Sequence, residues 1–266
     1  MKAGFLQTAP VFGAVERNVE DAVKGLLALS KRGAELVVLP ELFSTGYAFR
    51  DKRESLKYSE RVSDGYAVRR LAETAKVTGM FIAAGFVERD GKRVYNSSVL
   101  VGPKGVIAVY RKTHLFWNEK KYFYPGDTGF KVHDIGKAKV GMMICFDWVF
   151  PEAARTLALM GADVILHPSN LVLPFCPEAM ITRCLENRVY AITANRVGSE
   201  KRGAAKALTF IGQSEVVSPR GRVMKRASAK KAESALVEID PRAARSKCVT
   251  PLNDIFKDRV KKFYKF

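Results

Sequence analysis

Gly161-Ala162-Asp163-Val164-Ile165-Leu166-His167-Pro168 reads as a turn glycine, a polar step and a short apolar run closed by proline. The same pattern stands earlier as Gly33-Ala34-Glu35-Leu36-Val37-Val38-Leu39-Pro40. Short apolar runs bounded by Gly and Pro predict buried strands. Three further pairs keep the same order. Lys2-Ala3-Gly4-Phe5-Leu6 is like Lys139-Val140-Gly141-Met142-Met143, and Met80-Phe81-Ile82-Ala83-Ala84 is more weakly like Tyr190-Ala191-Ile192-Thr193-Ala194. Val101-Gly102-Pro103-Lys104-Gly105 is like Val217-Ser218-Pro219-Arg220-Gly221. The separation differs from pair to pair, as connections of unequal length would make it. The chain therefore reads as a duplicated α/β unit, with two sheets packed face to face and helices outside.

Helical periodicity fills the intervals. Val19, Ala22, Val23, Leu26 and Leu27 make one apolar stripe ending near Gly33, and Val68, Leu71, Ala72 and Ala75 make another before Gly79. Residues 151–160 form a third helix, with Pro151 at its first position and Gly161 beyond its end. Met180, Ile181, Cys184 and Leu185 mark a fourth. Further strands are expected at 97–101, 106–110, 140–145, 215–217 and 236–239. The alternation assigns the α/β class. No Gly/Ser/Pro-rich linker divides the chain, so residues 1–266 are expected to form a single domain.

The 266 residues are 47% apolar, enough for one large core. No stretch approaches the roughly 18 apolar residues of a membrane span, and the N-terminus lacks the apolar segment of a signal peptide. The four cysteines, at 145, 176, 184 and 248, have neither disulfide-framework nor zinc-site spacing. A reducing cytoplasm, no metal and no cofactor are the expectations. The net charge of +18 admits a nucleic-acid binder. However, Lys and Arg are scattered along the chain without a recognition motif, which reads as a solvated basic surface.

Three polar residues stand at the ends of apolar runs: Glu41 after Leu39-Pro40, Lys112 after Tyr110-Arg111, and Cys145 after Met143-Ile144. Cys145 lies between a strand and the helix opening at Pro151-Glu152, where helix dipoles would favour the thiolate. A nucleophilic cysteine needs a base and an electrostatic stabiliser. Of the three histidines, His114 follows Lys112 closely, His133 shows no motif, and His167 sits in an apolar strand as a core histidine would. A carboxylate in an apolar pocket can serve as base instead, and Glu41 is the candidate. On their own, Lys112 and Glu119 would be read as solvated surface charges, and Cys184 as a small core residue.

Together these residues are more specific. Leu39-Pro40-Glu41-Leu42-Phe43, Tyr110-Arg111-Lys112-Thr113-His114-Leu115, Glu119 and Ile144-Cys145-Phe146-Asp147 with Phe150-Pro151-Glu152 resemble the nitrilase superfamily of carbon-nitrogen hydrolases. Gly161-Ala162-Asp163, Leu185-Glu186-Asn187-Arg188 and Asn195-Arg196 extend the resemblance over nearly the whole chain. It implies a four-layer αββα sandwich. It also implies a homodimer or higher homo-oligomer, with the tail from about residue 248 at a subunit interface. The implied catalytic set is Cys145 as nucleophile, Glu41 as base, Lys112 and the backbone N–H of Phe146 as oxyanion donors, and Glu119 orienting Lys112 or the substrate. Asn170, Tyr47 and Trp117 are candidate substrate-binding residues.

The resemblance implies hydrolysis of a non-peptide C–N bond through a thioester. True nitrilases usually follow the nucleophile with Trp-Glu, whereas Phe146-Asp147 is nearer the amidase and carbamoylase pattern. The expected substrate is therefore a small aliphatic amide or N-carbamoyl compound, releasing ammonia, with water as co-substrate. A small aliphatic nitrile is the alternative. A nucleic-acid-binding protein on an enzyme fold is the alternative of another class.

Overall fold

The computed structural model describes residues 1–203 and 206–264. The first half runs β1 (Lys2–Gln7), α1 (Val15–Lys31), β2 (Leu36–Val38), the short α2 (Lys52–Lys57), α3 (Tyr66–Thr78), β3 (Phe81–Asp90), β4 (Arg93–Gly102), β5 (Gly105–Arg111), the one-turn α4 (Glu119–Tyr122) and β6 (Val132–Asp134). The second half runs β7 (Lys139–Met142), a 3-10 turn (Cys145–Val149), α5 (Pro151–Leu159), β8 (Val164–Pro168), α6 (Cys176–Asn187) and β9 (Tyr190–Ala194). It continues through a ribbon of β10 (Ser199–Glu200) and β11 (Leu208–Thr209) to β12 (Glu215–Val217), β13 (Val223–Arg226) and β14 (Glu233–Glu238). A last ribbon, β15 (Cys248–Thr250) with β16 (Asn253–Asp254), lies in the tail.

The repeated segments take matching places in two six-stranded sheets. The orders are β14-β1-β2-β3-β4-β5 and β6-β7-β8-β9-β12-β13. In each, three parallel strands are followed by two antiparallel ones. The outer strands are exchanged. β6, the last strand of the first half, pairs antiparallel with β7, and β14, the last of the second half, pairs antiparallel with β1. Each half thus completes the other's sheet. This interlocks the two halves.

Strand alternation sets the layers. Ala3, Phe5, Leu36 and Val38 meet Val140, Met142, Val164, Leu166 and Ile192 between the sheets. Val37, Leu39, Ile82 and Ala84 face α1 and α3 on the outside. Full burial of such an aliphatic side chain contributes about 1.5–3 kcal/mol. The expected stripe of α1 needs one change: Leu27 is exposed and Leu29 is buried, which keeps the buried face on a 3.6-residue repeat. The strand expected at 140–145 ends at Met142; Ile144 is still extended, and the chain turns at Cys145 itself, with φ +41°. No helix among the described residues is long and apolar enough to cross a membrane.

Candidate active site

The strand ends of both sheets deliver their polar residues to one buried point. Glu41 follows β2 and is held there by the neighbouring strand: Gly85 N–H donates to Pro40 O at 3.1 Å, and Phe43 N–H to Gly85 O at 3.0 Å. Only glycine fits at Gly85, since a Cβ there would lie 2.4 Å from Glu41 Cα. Lys112 follows β5. Its N–H donates to Asn96 O at 2.8 Å, and its carbonyl accepts from Gly126 N at 2.9 Å. The preceding Arg111 is fastened to Glu88, Asp90 and Asp127 and lies 4.0 Å from the Tyr95 ring centroid. This clasp on the sheet points Lys112 inward.

Lys112 is fully buried between two buried carboxylates. Its Nζ donates to Glu41 Oε1 at 2.7 Å and Glu119 Oε1 at 2.9 Å, and lies 2.8 Å from Glu119 Oε2. Burial alone would lower the Lys112 pKa. The charges of Glu119 and Glu41 override it and raise that pKa well above the ordinary value, so the side chain is an ammonium. Glu119 is saturated, for Tyr47 OH donates to Oε1 at 2.6 Å and Phe116 N–H to Oε2 at 3.1 Å. Glu41 is not. Asn96 Nδ2 donates to Oε1 at 2.6 Å, while the buried Oε2 has no hydrogen-bond partner among the described residues. Burial raises the Glu41 pKa, with Glu119 reinforcing and Lys112 opposing. This is the signature of a proton acceptor.

Cys145 opens the 3-10 turn with φ +41°, a left-handed conformation that non-glycine residues rarely hold. Two side chains fix it. His167 Nε2 lies 2.9 Å from Cys145 O, and because a carbonyl only accepts, this nitrogen carries the proton. His167 Nδ1 then accepts from Thr193 Oγ1 at 3.0 Å. Burial lowers the His167 pKa to about 4, so the ring is neutral. Asp147 accepts from Ile144 N at 2.8 Å, Tyr110 OH at 2.8 Å and His114 N at 3.1 Å, and lies 2.7 Å from His114 Nδ1. It joins the cysteine turn to the Lys112 loop.

The expectation of a dipole-stabilised thiolate is corrected here. The α-helix begins only at Pro151, beyond the 3-10 turn. Burial raises the Cys145 pKa well above the ordinary thiol value, Glu41 adds to this, and Lys112 opposes it. The resting thiol is protonated and depends on a base. No histidine supplies one: His167 touches the cysteine carbonyl, His114 is engaged by Asp147 and Phe150, and His133 lies on β6.

The thiol faces a cavity of about 130 Å³ walled by Phe116, Phe146, Trp148, Asn170, Leu173 and Phe175 among others. Asn170 is therefore at the cavity. Its Nδ2 donates to Glu41 O at 2.8 Å, and its buried Oδ1 has no partner among the described residues. Tyr47 and Trp117 are placed elsewhere. They line a second cavity of about 250 Å³ that shares Glu119. Trp117, with φ +45°, turns the chain so that Phe116 faces one cavity and Trp117 the other. Sequence reading missed Asn96 and the clamps made by Asp147 and His167. Only the position of Asp147, two residues after the cysteine, signalled a role.

The chain matches the carbon-nitrogen hydrolase family over residues 2–247. It belongs to that family. A nitrilase from Pyrococcus abyssi (strain GE5 / Orsay) is 49% identical over 264 residues, covering 99% of both chains. The N-carbamoylputrescine amidase of Solanum lycopersicum is 30% identical over 88% of this chain and 84% of the plant protein. A solved carbon-nitrogen hydrolase from Helicobacter pylori G27 superposes with a TM-score of 0.91 at 29% identity, covering 99% of this chain and 97% of the other. As a carbon-nitrogen hydrolase with Cys145, Glu41 and Lys112 assembled, the protein works through a thioester.

Proposed function

We propose that the protein is a nitrilase that converts a small aliphatic nitrile to the acid and ammonia. The 49% identity to the Pyrococcus nitrilase over nearly the whole chain carries this reading. The Cys145 cavity supports it, for at about 130 Å³ it is smaller than the ~300–1,000 Å³ of drug-sized sites and its walls are mostly apolar. The Phe146-Asp147 pair had favoured an amide. Asp147 is bonded to Ile144, Tyr110 and His114 and forms no part of the cavity wall, so its identity does not select against nitriles.

In this reading Glu41 Oε2 takes the Cys145 proton as sulfur bonds to the nitrile carbon. The C≡N π pair moves to nitrogen, which receives that proton and leaves a thioimidate. Glu41 deprotonates a water that adds to the same carbon. That proton turns the imine nitrogen into an amine. The new hydroxyl then gives its proton through Glu41 to the amine, which departs as ammonia as the C=O of the thioester forms, and a second water activated by Glu41 releases the acid and restores the thiol. Two waters are consumed and one ammonia is formed. The Lys112 hydrogen bonds occupy two of its three N–H groups. The third, with Phe146 N–H, stabilises the negative charge that develops, at about 2.7–4 kcal/mol per donor. Asn170 Oδ1 accepts an N–H that exists only after attack, so it favours the intermediate over the substrate. Glu119 holds Lys112.

Ammonia release from short mono- and dinitriles and their matched amides tests the assignment. Nitrile kcat/KM is expected to exceed that of the matched amide by roughly tenfold or more, with no release by Cys145→Ala. Hydrolysed amides beside inert nitriles would instead establish the amidase reading, which the plant amidase relative favours.

We further infer a single-domain cytoplasmic enzyme that acts as a homodimer. Four unpaired cysteines suit a reducing compartment. Leu252 at 91% and Phe263 at 75% exposure are apolar side chains of the tail suited to burial against a second copy. Sedimentation of Leu252→Ser beside the parent chain tests this, and an unchanged dimer would remove the tail from the interface.

A further inference from the structure

Tyr47 reaches the site from the second cavity and is buried. Its backbone is clamped: Tyr47 N–H and Ala48 N–H donate to Glu200 Oε2 at 3.0 and 2.7 Å. Glu200 is ion-paired to the buried Arg196, which also donates to Pro10 O at 2.9 Å. The Arg196 guanidinium lies 4.1 Å from the Phe210 ring centroid, and Phe210 meets the Tyr47 ring edge-on at 6.0 Å. The preceding Gly46, at φ +81°, has no room for a side chain, since a Cβ would lie 2.7 Å from Glu200 Oε1. The product of the clamp is one hydroxyl aimed at Glu119.

We propose that Tyr47 is a positioning residue of the hydrolytic centre: its hydroxyl keeps Glu119 aimed at Lys112, and the buried Arg196–Glu200 pair keeps Tyr47 in place. This rests on the roles proposed above for Glu41 and Lys112. The two carboxylates beside Lys112 have different tasks. Glu41 must gain and lose a proton in each turnover, and it has a vacant oxygen for it. Glu119 must stay a fixed counter-ion. Tyr47, Lys112 and Phe116 N–H all donate to Glu119 and hold its carboxylate in one orientation. With the Tyr47 hydroxyl gone, Glu119 Oε1 loses a donor. Lys112 is then held less firmly, its ammonium opposes the raised Glu41 pKa less, and Glu41 is protonated at higher pH. The charged and titratable groups facing this cluster are Lys112, Glu41 and Cys145 from the site, and Tyr122, Glu200, Arg202, Arg50 and Lys206 from the second cavity. Of these, Lys112 already donates to Glu119 Oε1.

Tyr47→Phe in the full chain tests this, with kcat and KM measured across pH on whichever substrate is turned over. We expect kcat to fall about tenfold with KM changed less than about twofold. The acid limb of kcat should move up by about half a pH unit or more. Tyr122→Phe, on the wall of the same cavity, is the control with neither change. An acid limb that stays put in a folded Tyr47→Phe protein, or a change in KM alone, overturns the proposal. Should Tyr47→Phe not fold, Glu200→Gln carries the test, because its amide oxygen can still accept the two backbone N–H groups while the ion pair is lost. Its acid limb must move the same way, and an unmoved limb again overturns the proposal. Full activity in Glu41→Gln would sink the underlying roles instead, which separates the two failures.

Discussion

The ends of β2 and β8 occupy the same place in two copies of one unit, yet they carry different chemistry. The first continues Leu39-Pro40-Glu41-Leu42, and the second His167-Pro168-Ser169-Asn170. The same holds one strand over, where β1 runs on to Thr8 and β7 to Cys145. The first half thus supplies Glu41 and Glu119, both partners of Lys112, while the second supplies Cys145 and the residues that hold its turn. Asn170 Nδ2 bonded to Glu41 O at 2.8 Å joins the two copies at the site. Duplication copied a scaffold that directs strand ends to one point, and the chemistry arose from unlike residues at like ends.

The comparison breaks if equivalent positions respond equally to substitution. Cys145→Ala should abolish ammonia release, a loss on the order of 10⁴-fold or more, whereas Thr8→Ala should retain kcat/KM within about threefold. Glu41→Gln should lower kcat by roughly 10³-fold, and Ser169→Ala by far less. Comparable losses at both members of either pair would refute the division of labour.

Two pH experiments sharpen it. Glu41 has a raised pKa, so the base is lost as pH falls through a value above the ordinary carboxylate range. The acid limb of kcat/KM should lie there, and a limb at the ordinary carboxylate position would count against the buried-base mechanism. The Cys145 pKa is also raised, so no inflection is expected near the ordinary thiol value of about 8.5.

The smallest effect is on stability. His167 titrates at about 4 when folded and near 6.5 when unfolded. The unfolded chain therefore binds the proton first, and stability drops as pH falls from about 6.5 to 4, by on the order of 3 kcal/mol at the lower end. Its equivalent in the first half, Leu39, cannot titrate. Thermal melts of His167→Gln should show a shallower loss over this window than the parent chain, and parallel curves would argue against a neutral buried imidazole.

Much of this was legible in the residues. The paired runs 33–40 and 161–168 became β2 and β8 because a β-branched run between Gly and Pro is strand-forming wherever it sits. Glu41, Lys112 and Cys145 stood out because each interrupts the end of an apolar run. Tyr47 and Trp117 were near their partners in sequence, but nearness does not specify which side of a turn a ring occupies, and Trp117 at φ +45° sends it to the second cavity. The exchange of β6 and β14 left no mark in the pattern either, since a strand's hydrophobicity does not name its neighbour.

The sequence by itself therefore determined the duplicated α/β unit, the strand ends and the residue types of the site, because periodicity and backbone preference are local properties. Tertiary structure alone decided that Cys145 is a protonated thiol, that Glu41 keeps a vacant oxygen while Glu119 is saturated, and that Asp147 clamps a turn. Each of these depends on burial and on hydrogen bonds between residues far apart in the chain.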